Sequence, residues 1–218
     1  MVRLPRSSGG YRYGGVLLLT LAIAVFALVA PEGRAVRTIE LFAAGGTLLV
    51  AVLTSKAPAG TRRAAGIGLA VAVAAAGVLA ALGGAHVALT LAVTAAILIV
   101  TIAIILAGLV RLIMERGVVL QAVFAAVCVY VLVGLSFGFV IGAIATGGHS
   151  EYFAQGTDGV QSQRVYYSFT VLTTTGFGDF TAGLRGGRAL AVLEMLIGQL
   201  YLVTVIALLV GNLRRQPQ

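Results

Sequence analysis

The sequence predicts an all-α membrane protein: six transmembrane helices, with a short re-entrant helix between the fifth and the sixth. Three observations predict it. The 218 residues are 60% hydrophobic and 10% charged, with a mean hydropathy of +1.06, whereas a soluble domain carries about 25% charged residues. Six apolar stretches reach or approach the ~20 residues that cross a hydrocarbon core. Between the last two lies a shorter apolar segment, followed at once by Thr173-Thr174-Thr175-Gly176-Phe177-Gly178-Asp179.

The six stretches are Gly15–Ala30, Val36–Leu53, Ala64–Gly83, His86–Val110, Val118–Thr146 and Arg188–Asn212. The first is short and follows Arg3, Arg6 and Arg12, as a signal peptide would. Leu28 at the −3 position from Ala30 makes a poor small-x-small cleavage site, so a retained signal anchor is expected. The second and third are rich in Gly and Ala, which lets membrane helices pack closely. The fifth exceeds the bilayer thickness and either tilts or projects its last turn.

Loop charges set the orientation. Arg3, Arg6, Arg12, Lys56, Arg62, Arg63, Arg111, Arg116, Arg214 and Arg215 fall on one side; Arg34, Arg37, Arg164, Arg185 and Arg188 fall on the other. Ten against five places both termini in the cytoplasm of a cell membrane, by the positive-inside rule. The same distribution explains the net charge of +8 without nucleic acid, and gives the loops an affinity for anionic lipid. The single Cys128 lies in an apolar run, so no intrachain disulfide forms. His86 and His149 are too far apart to begin a metal site, and no paired acids or nucleophile–base set points to an enzyme. His149, in the polar loop, has the chemistry to sense acidity, although an exposed loop histidine needs no role.

Between the fifth and sixth stretches, a polar segment Gly147–Gln163 precedes Arg164–Thr173. Ten helical residues extend about 15 Å, enough to enter a membrane without crossing it. Irregular backbone at membrane depth is tolerated only where protein buries it or it lines a water-filled cavity. A re-entrant helix followed by Gly-Phe-Gly therefore predicts a pore, with the partly negative helix C-terminus favouring a cation inside. Successive carbonyls line one axis only if the backbone alternates into conformations that L-residues resist, and Gly176 and Gly178 remove that penalty. The carbonyls of Thr174, Thr175, Gly176 and Phe177 would form stacked rings, to which Thr174 can add its hydroxyl at the inner end. One loop supplies one wall, so four copies and C4 symmetry follow.

Thr174–Asp179 resembles the selectivity filter of the tetrameric potassium channel family, Thr-Val-Gly-Tyr-Gly-Asp, over a pore region of about Val118–Asn212. The resemblance implies a homotetramer in a lipid bilayer that binds K⁺ in the filter, without another cofactor and without catalysis. Thr175 and Phe177 depart from the pattern, at side chains that face away from the axis. Phe177 lacks the hydroxyl that ties the family's tyrosine to the pore helix. Tyr166 and Tyr167 stand where relatives have a tryptophan pair, which makes Tyr166 the expected partner of Asp179. Thr170 stands where some relatives have an acid that braces the same aspartate. Gly198, nineteen residues after Asp179, matches a hinge glycine of the inner helix, or else serves close packing; the following Gln199 and Tyr201 belong to a Gly-Gln-Leu-Tyr-Leu-Val run seen in small bacterial potassium channels. Glu194, on the same face as Gly198, either braces the filter through Thr170 or Ser168, or faces the cavity and concentrates cations. Glu40 is expected to anchor on Arg37.

The domains expected are 1–14 cytoplasmic, 15–110 a four-helix membrane domain, 111–117 a linker, 118–212 the pore domain and 213–218 a cytoplasmic tail. Six helices with one pore loop also resemble the voltage-gated architecture, in which the fourth helix carries regularly spaced arginines. Here His86–Val110 has no charged residue, so steep voltage gating is not expected, and the short tail leaves no room for a cytoplasmic regulatory ring. Three other readings compete with a potassium channel: a non-selective cation channel on the same fold, a transporter subunit, and a membrane enzyme.

Overall fold

The computed structural model describes residues 12–55, 66, 70 and 87–213. Six helices lie within them: α1 (Tyr13–Val29), α2 (Arg34–Thr54), α3 (Val87–Arg116), α4 (Leu120–Gly147), α5 (Gln161–Leu172) and α6 (Arg185–Leu213). Four of them, α2, α3, α4 and α6, are long and apolar enough to cross a membrane, and α1 is a shorter apolar helix. At 17 residues, α1 extends about 25 Å. The predicted third stretch, Ala64–Gly83, lies outside the described residues, so the described helices bear out a transmembrane all-α chain and not a count of six spans.

Helix α3 runs past its predicted end. Arg111–Arg116, expected in a linker, continue the helix, because nothing in Arg-Leu-Ile-Met-Glu-Arg breaks it. Gly117 stops it: its N–H bonds to the Ile113 carbonyl and its φ is +70, a left-handed cap that glycine takes without a Cβ penalty.

The core is helical packing around α4, which touches α1, α3, α5 and α6. α1 presents Val16, Thr20, Ile23 and Ala27 on one buried face, at the three- and four-residue spacing of an apolar stripe, while Leu18, Leu21, Val25 and Leu28 stay uncovered. Thr20 bonds to Cys128 on α4 (Oγ1–Sγ 3.2 Å), which gives the lone cysteine a structural place.

The short helix α5 lies unusually close to α4. Gly134, Gly138 and Gly142 repeat every four residues along α4, and a Cβ on each would come within 2.9 Å of Phe169, Val165 or Gln161. That glycine stripe seats α5 against the bundle, and backbone approach of this kind is what small residues permit in membranes. The start of α5 is also tied to the front of the chain. Its N-cap, Val160, has no side-chain acceptor. Glu32, in the turn between α1 and α2, takes the Gln161 N–H instead (2.9 Å), while Gln163 Oε1 takes the Val160 N–H (2.9 Å). A carboxylate at that position also complements the positive end of the helix dipole.

Candidate pore site

Helix α5 ends in a turn that already contains the site. Thr174 N–H bonds to the Val171 carbonyl (2.9 Å) and Thr175 N–H to the Thr170 carbonyl (2.9 Å). These are the two bonds of a Schellman cap, which needs its next residue in the left-handed region and normally places glycine there. Here that residue is Thr174, at φ +56, the one non-glycine with positive φ among the described residues. A β-branched residue in this region is strained by about 1–2 kcal/mol. Sequence reasoning assigned the special backbone to Gly176 and Gly178 alone. They adopt φ +53 and +82, so the left-handed positions are 174, 176 and 178, alternating with 175, 177 and 179.

The bonds divide the loop's polar groups by direction. The N–H groups of Thr173, Thr174, Thr175 and Gly176 all turn back onto carbonyls of α5, the last two sharing Thr170. No described hydrogen bond ends on the carbonyls of Thr174, Thr175, Gly176 or Phe177. Residues Thr173–Asp179 are exposed on the single chain. Free acceptors beside tied donors give this segment oxygens with the chemistry to coordinate a cation.

The expected braces divide into those brought together and those redirected. Tyr166 meets its expected target, with its hydroxyl against the Asp179 carboxylate, and its ring also stacks on Phe177, an unpredicted contact with centroids 6.3 Å apart and planes 3° from parallel. The stacking gives Phe177 an attachment that its missing hydroxyl does not supply. Thr170 takes a different part from the one expected. Its hydroxyl bonds to the Tyr167 carbonyl (2.8 Å), because an i−3 backbone acceptor lies nearer than Asp179, and its carbonyl holds the filter N–H groups. Asp179 uses one oxygen to accept the Phe180 N–H (3.1 Å).

Glu194 is wholly buried, and of its two expected partners it meets Ser168. Ser168 Oγ lies 2.7 Å from the Gly134 carbonyl and 2.5 Å from Glu194 Oε1, while Glu194 Oε2 has no partner. A hydroxyl has one proton, and the Gly134 carbonyl can only accept. The arrangement closes if Ser168 donates to Gly134 and accepts a hydrogen bond from the carboxyl O–H of Glu194, which makes Glu194 a neutral acid. An unpaired, fully buried carboxylate would also carry a large desolvation cost. The cluster joins α4, α5 and α6 behind the filter.

Gly198 lies against the end of α5. A Cβ there would come 2.6 Å from the Leu172 carbonyl and 2.8 Å from its side chain, so close approach alone accounts for the glycine. Neighbouring contacts reinforce the same junction. Tyr130 donates to the Leu172 carbonyl (3.3 Å), Tyr201 donates to the Ala126 carbonyl (2.7 Å), and the two rings stack. Gln199 donates to the Thr174 hydroxyl (3.3 Å), which links the inner helix to the first filter residue.

The segment between α4 and α5 holds a buried aromatic pair that sequence reasoning missed. It reads as a polar loop, yet Tyr152 and Phe153 are buried and pack with Tyr167 and Phe180. Backbone bonds from Ala154 to Thr181 and from Gly183 to Tyr152 stitch this loop to the chain leaving the filter. Two adjacent aromatics amid Gly, Ser, Asp and Gln were the only signal.

Comparison with known proteins bears on this half of the chain. The ion channel family model matches residues 126–215, from within α4 to just beyond α6. No curated protein and no solved structure matches the chain. The match and the apolar helices support an ion channel in a membrane.

Proposed function

We propose that the chain forms a potassium-selective channel: a C4 homotetramer conducting passively through the carbonyls of Thr174, Thr175, Gly176 and Phe177. One observation carries the reading. Left-handed backbone alternates at Thr174, Gly176 and Gly178, while the N–H groups of Thr173, Thr174, Thr175 and Gly176 bond back to α5 and the carbonyls of Thr174, Thr175, Gly176 and Phe177 accept no described hydrogen bond. Alternation of this kind turns successive carbonyls to one side, where they can replace a cation's hydration shell. In support, α6 leaves Val192, Leu196, Leu200 and Val203 uncovered on the single chain, as a helix that meets other copies or lipid would.

The pore helix α5 enters from the extracellular side, and both termini are cytoplasmic, in keeping with the basic-residue distribution. The front helices brace the pore helix through Glu32 and carry no gating charge on α3 before Arg111. Conductance is therefore expected to vary weakly with voltage. Gly198 acts as a packing point against Leu172 and permits the inner helix to bend there.

The test is reconstitution in liposomes with a potassium-flux readout and mixed-ion reversal potentials. The wild type is expected to pass potassium far better than sodium, and Gly176→Ala to lose flux while remaining folded and tetrameric. Near-equal sodium and potassium permeability would replace this reading with a non-selective cation channel. Retained flux in the folded Gly176→Ala tetramer would remove the filter assignment.

A further inference from the structure

A second polar site lies away from the filter. A cavity of about 630 Å³ opens where the end of α1, the starts of α2 and α3, the end of α4 and the start of α5 converge. Its size is that of a small-molecule site. Glu32, Arg37, Glu40, Asp158, Gln161 and Arg164 line it. Two of these present buried acceptors without partners: Glu40 Oε2, on a residue 2% exposed, and Gln161 Oε1, on a residue 9% exposed. Gln161 reaches the Gly138 carbonyl with its Nε2 (3.5 Å), and its Oε1 lies against Gly142 of α4.

The cavity also holds two guanidinium groups. Arg37 stands three residues before Glu40 on α2 and acts on it through space, while Glu40 Oε2 has no hydrogen-bond partner. Arg164, 4% exposed, gives its Nε to the Asp158 carbonyl (2.9 Å), and its terminal nitrogens enter no described hydrogen bond. Two unpartnered buried acceptors thus share a lining with Arg37 and with Arg164, which has the Glu32 and Asp158 carboxylates near it. Leaving buried acceptors unmatched costs free energy that an occupant would recover.

The needed occupant carries hydrogen-bond donors at one end and an anionic group at the other. No group of three His, Cys, Asp or Glu side chains forms a metal site among the described residues, which disfavours a coordinated metal ion. Position favours a lipid. The lining comes from the ends of the apolar helices, the level at which a span leaves hydrocarbon for headgroups, and Glu40 lies about 9 Å along α2 from its start.

We propose that this cavity binds the headgroup of a zwitterionic lipid with a primary ammonium, of the phosphatidylethanolamine class. The ammonium donates to Glu40 Oε2 and Gln161 Oε1, and the phosphate meets Arg37 and Arg164. The headgroup then sits beside the Glu32–Gln161 bond that fixes the start of the pore helix.

The test uses purified full-length protein in maltoside detergent, titrated with short-chain phosphatidylethanolamine or phosphatidylcholine and read by native mass spectrometry. Binding, unlike flux, does not depend on the conduction mechanism. Wild type is expected to bind the ethanolamine lipid at least tenfold more tightly, since a quaternary ammonium has no N–H to donate. Glu40→Leu and, independently, Gln161→Leu should erase that preference, so the test survives the failure of either variant to fold. Arg37→Gln should weaken both lipids alike through the shared phosphate. Equal wild-type affinity for the two lipids, or an unchanged preference in folded Glu40→Leu, would overturn the site. Free phosphoethanolamine binding as tightly as the lipid would overturn its assignment to a membrane lipid.

Discussion

Two loops flank helix α5, and they treat their polar backbone in opposite ways. The loop before it is closed on itself: Phe153 N–H bonds to Thr157, Asp158 Oδ1 takes the Tyr152 N–H (2.9 Å), and two aromatic rings are buried beneath. The loop after it, Thr173–Asp179, is exposed and leaves a run of carbonyls unbonded. Both use left-handed glycines, Gly156 and Gly159 in the first and Gly176 and Gly178 in the second. The same local device therefore serves a fastener in one place and a coordinating surface in the other. What separates them is where the carbonyls point and whether a side chain fills the space behind.

The comparison breaks most sharply at the fastener. Phe153 is 2% exposed and touches Tyr152, Tyr167 and Phe180. Phe153→Ala is expected to destabilise the protein by about 3–5 kcal/mol, the usual cost of removing a buried aromatic. Thermal unfolding in detergent measures it. If the fastener positions the filter's exit, the folded fraction of this variant should also show reduced potassium flux.

Behind the filter, the neutral form of Glu194 makes a prediction that distinguishes it from a cation-concentrating acid. Glu194→Gln keeps a donor for Ser168 and is expected to shift stability by less than about 1 kcal/mol, with unchanged conductance. Glu194→Ala removes the bond and leaves a void, at about 2–3 kcal/mol. An acid that gathers cations by its charge would instead lose conductance equally in both variants. Single-channel recording together with thermal unfolding separates the two outcomes.

The fold was legible in the sequence wherever one residue type dictates one physical outcome. The five long apolar runs that fall within the described residues became helices, with boundaries one to three residues from those expected apart from the later end of α3. Gly176 and Gly178 marked the left-handed turns of the loop after α5 because left-handed backbone calls for glycine. Thr174 was hidden for the same reason: its conformation is imposed by the cap of α5 against its own preference. Glu32 and Gln161 are 129 residues apart, so nothing local announced that one completes the other's helix. The glycine stripe on α4 was visible as composition, but its target required knowing where α5 lies.

Smaller effects come from paired glycines in the two loops. A Cβ on Gly159 would meet the Phe153 ring at 2.9 Å, whereas one on Gly176 would meet nothing within 4 Å on its own chain; both sit at positive φ. Gly159→Ala should therefore cost more stability than Gly176→Ala, by about 1 kcal/mol or more, since it adds overpacking to the same backbone strain. Flux should rank the other way, with Gly176→Ala the more damaging. A reversed order in either measurement would remove the distinction between fastener and coordinating surface.

The smallest expected effect falls on Thr174, where the two demands meet in one residue. Its left-handed φ of +56 opposes its side chain, so Thr174→Gly relieves about 1–2 kcal/mol of strain. Greater freedom of glycine in the unfolded chain returns about 0.4–1 kcal/mol of that gain. The Gln199 contact at 3.3 Å is long and exposed, and losing it subtracts little more. Stability should stay within about 1 kcal/mol of wild type, on the favourable side. The hydroxyl, however, is gone from the inner end of the carbonyl row, so ion occupancy there should fall, read as weaker block by a permeant-sized cation applied from the cytoplasmic side. A residue that keeps a strained conformation without contributing stability is retained for what its oxygen does. A Thr174→Gly variant that lost stability and kept its ion block would assign Thr174 to the fastener instead.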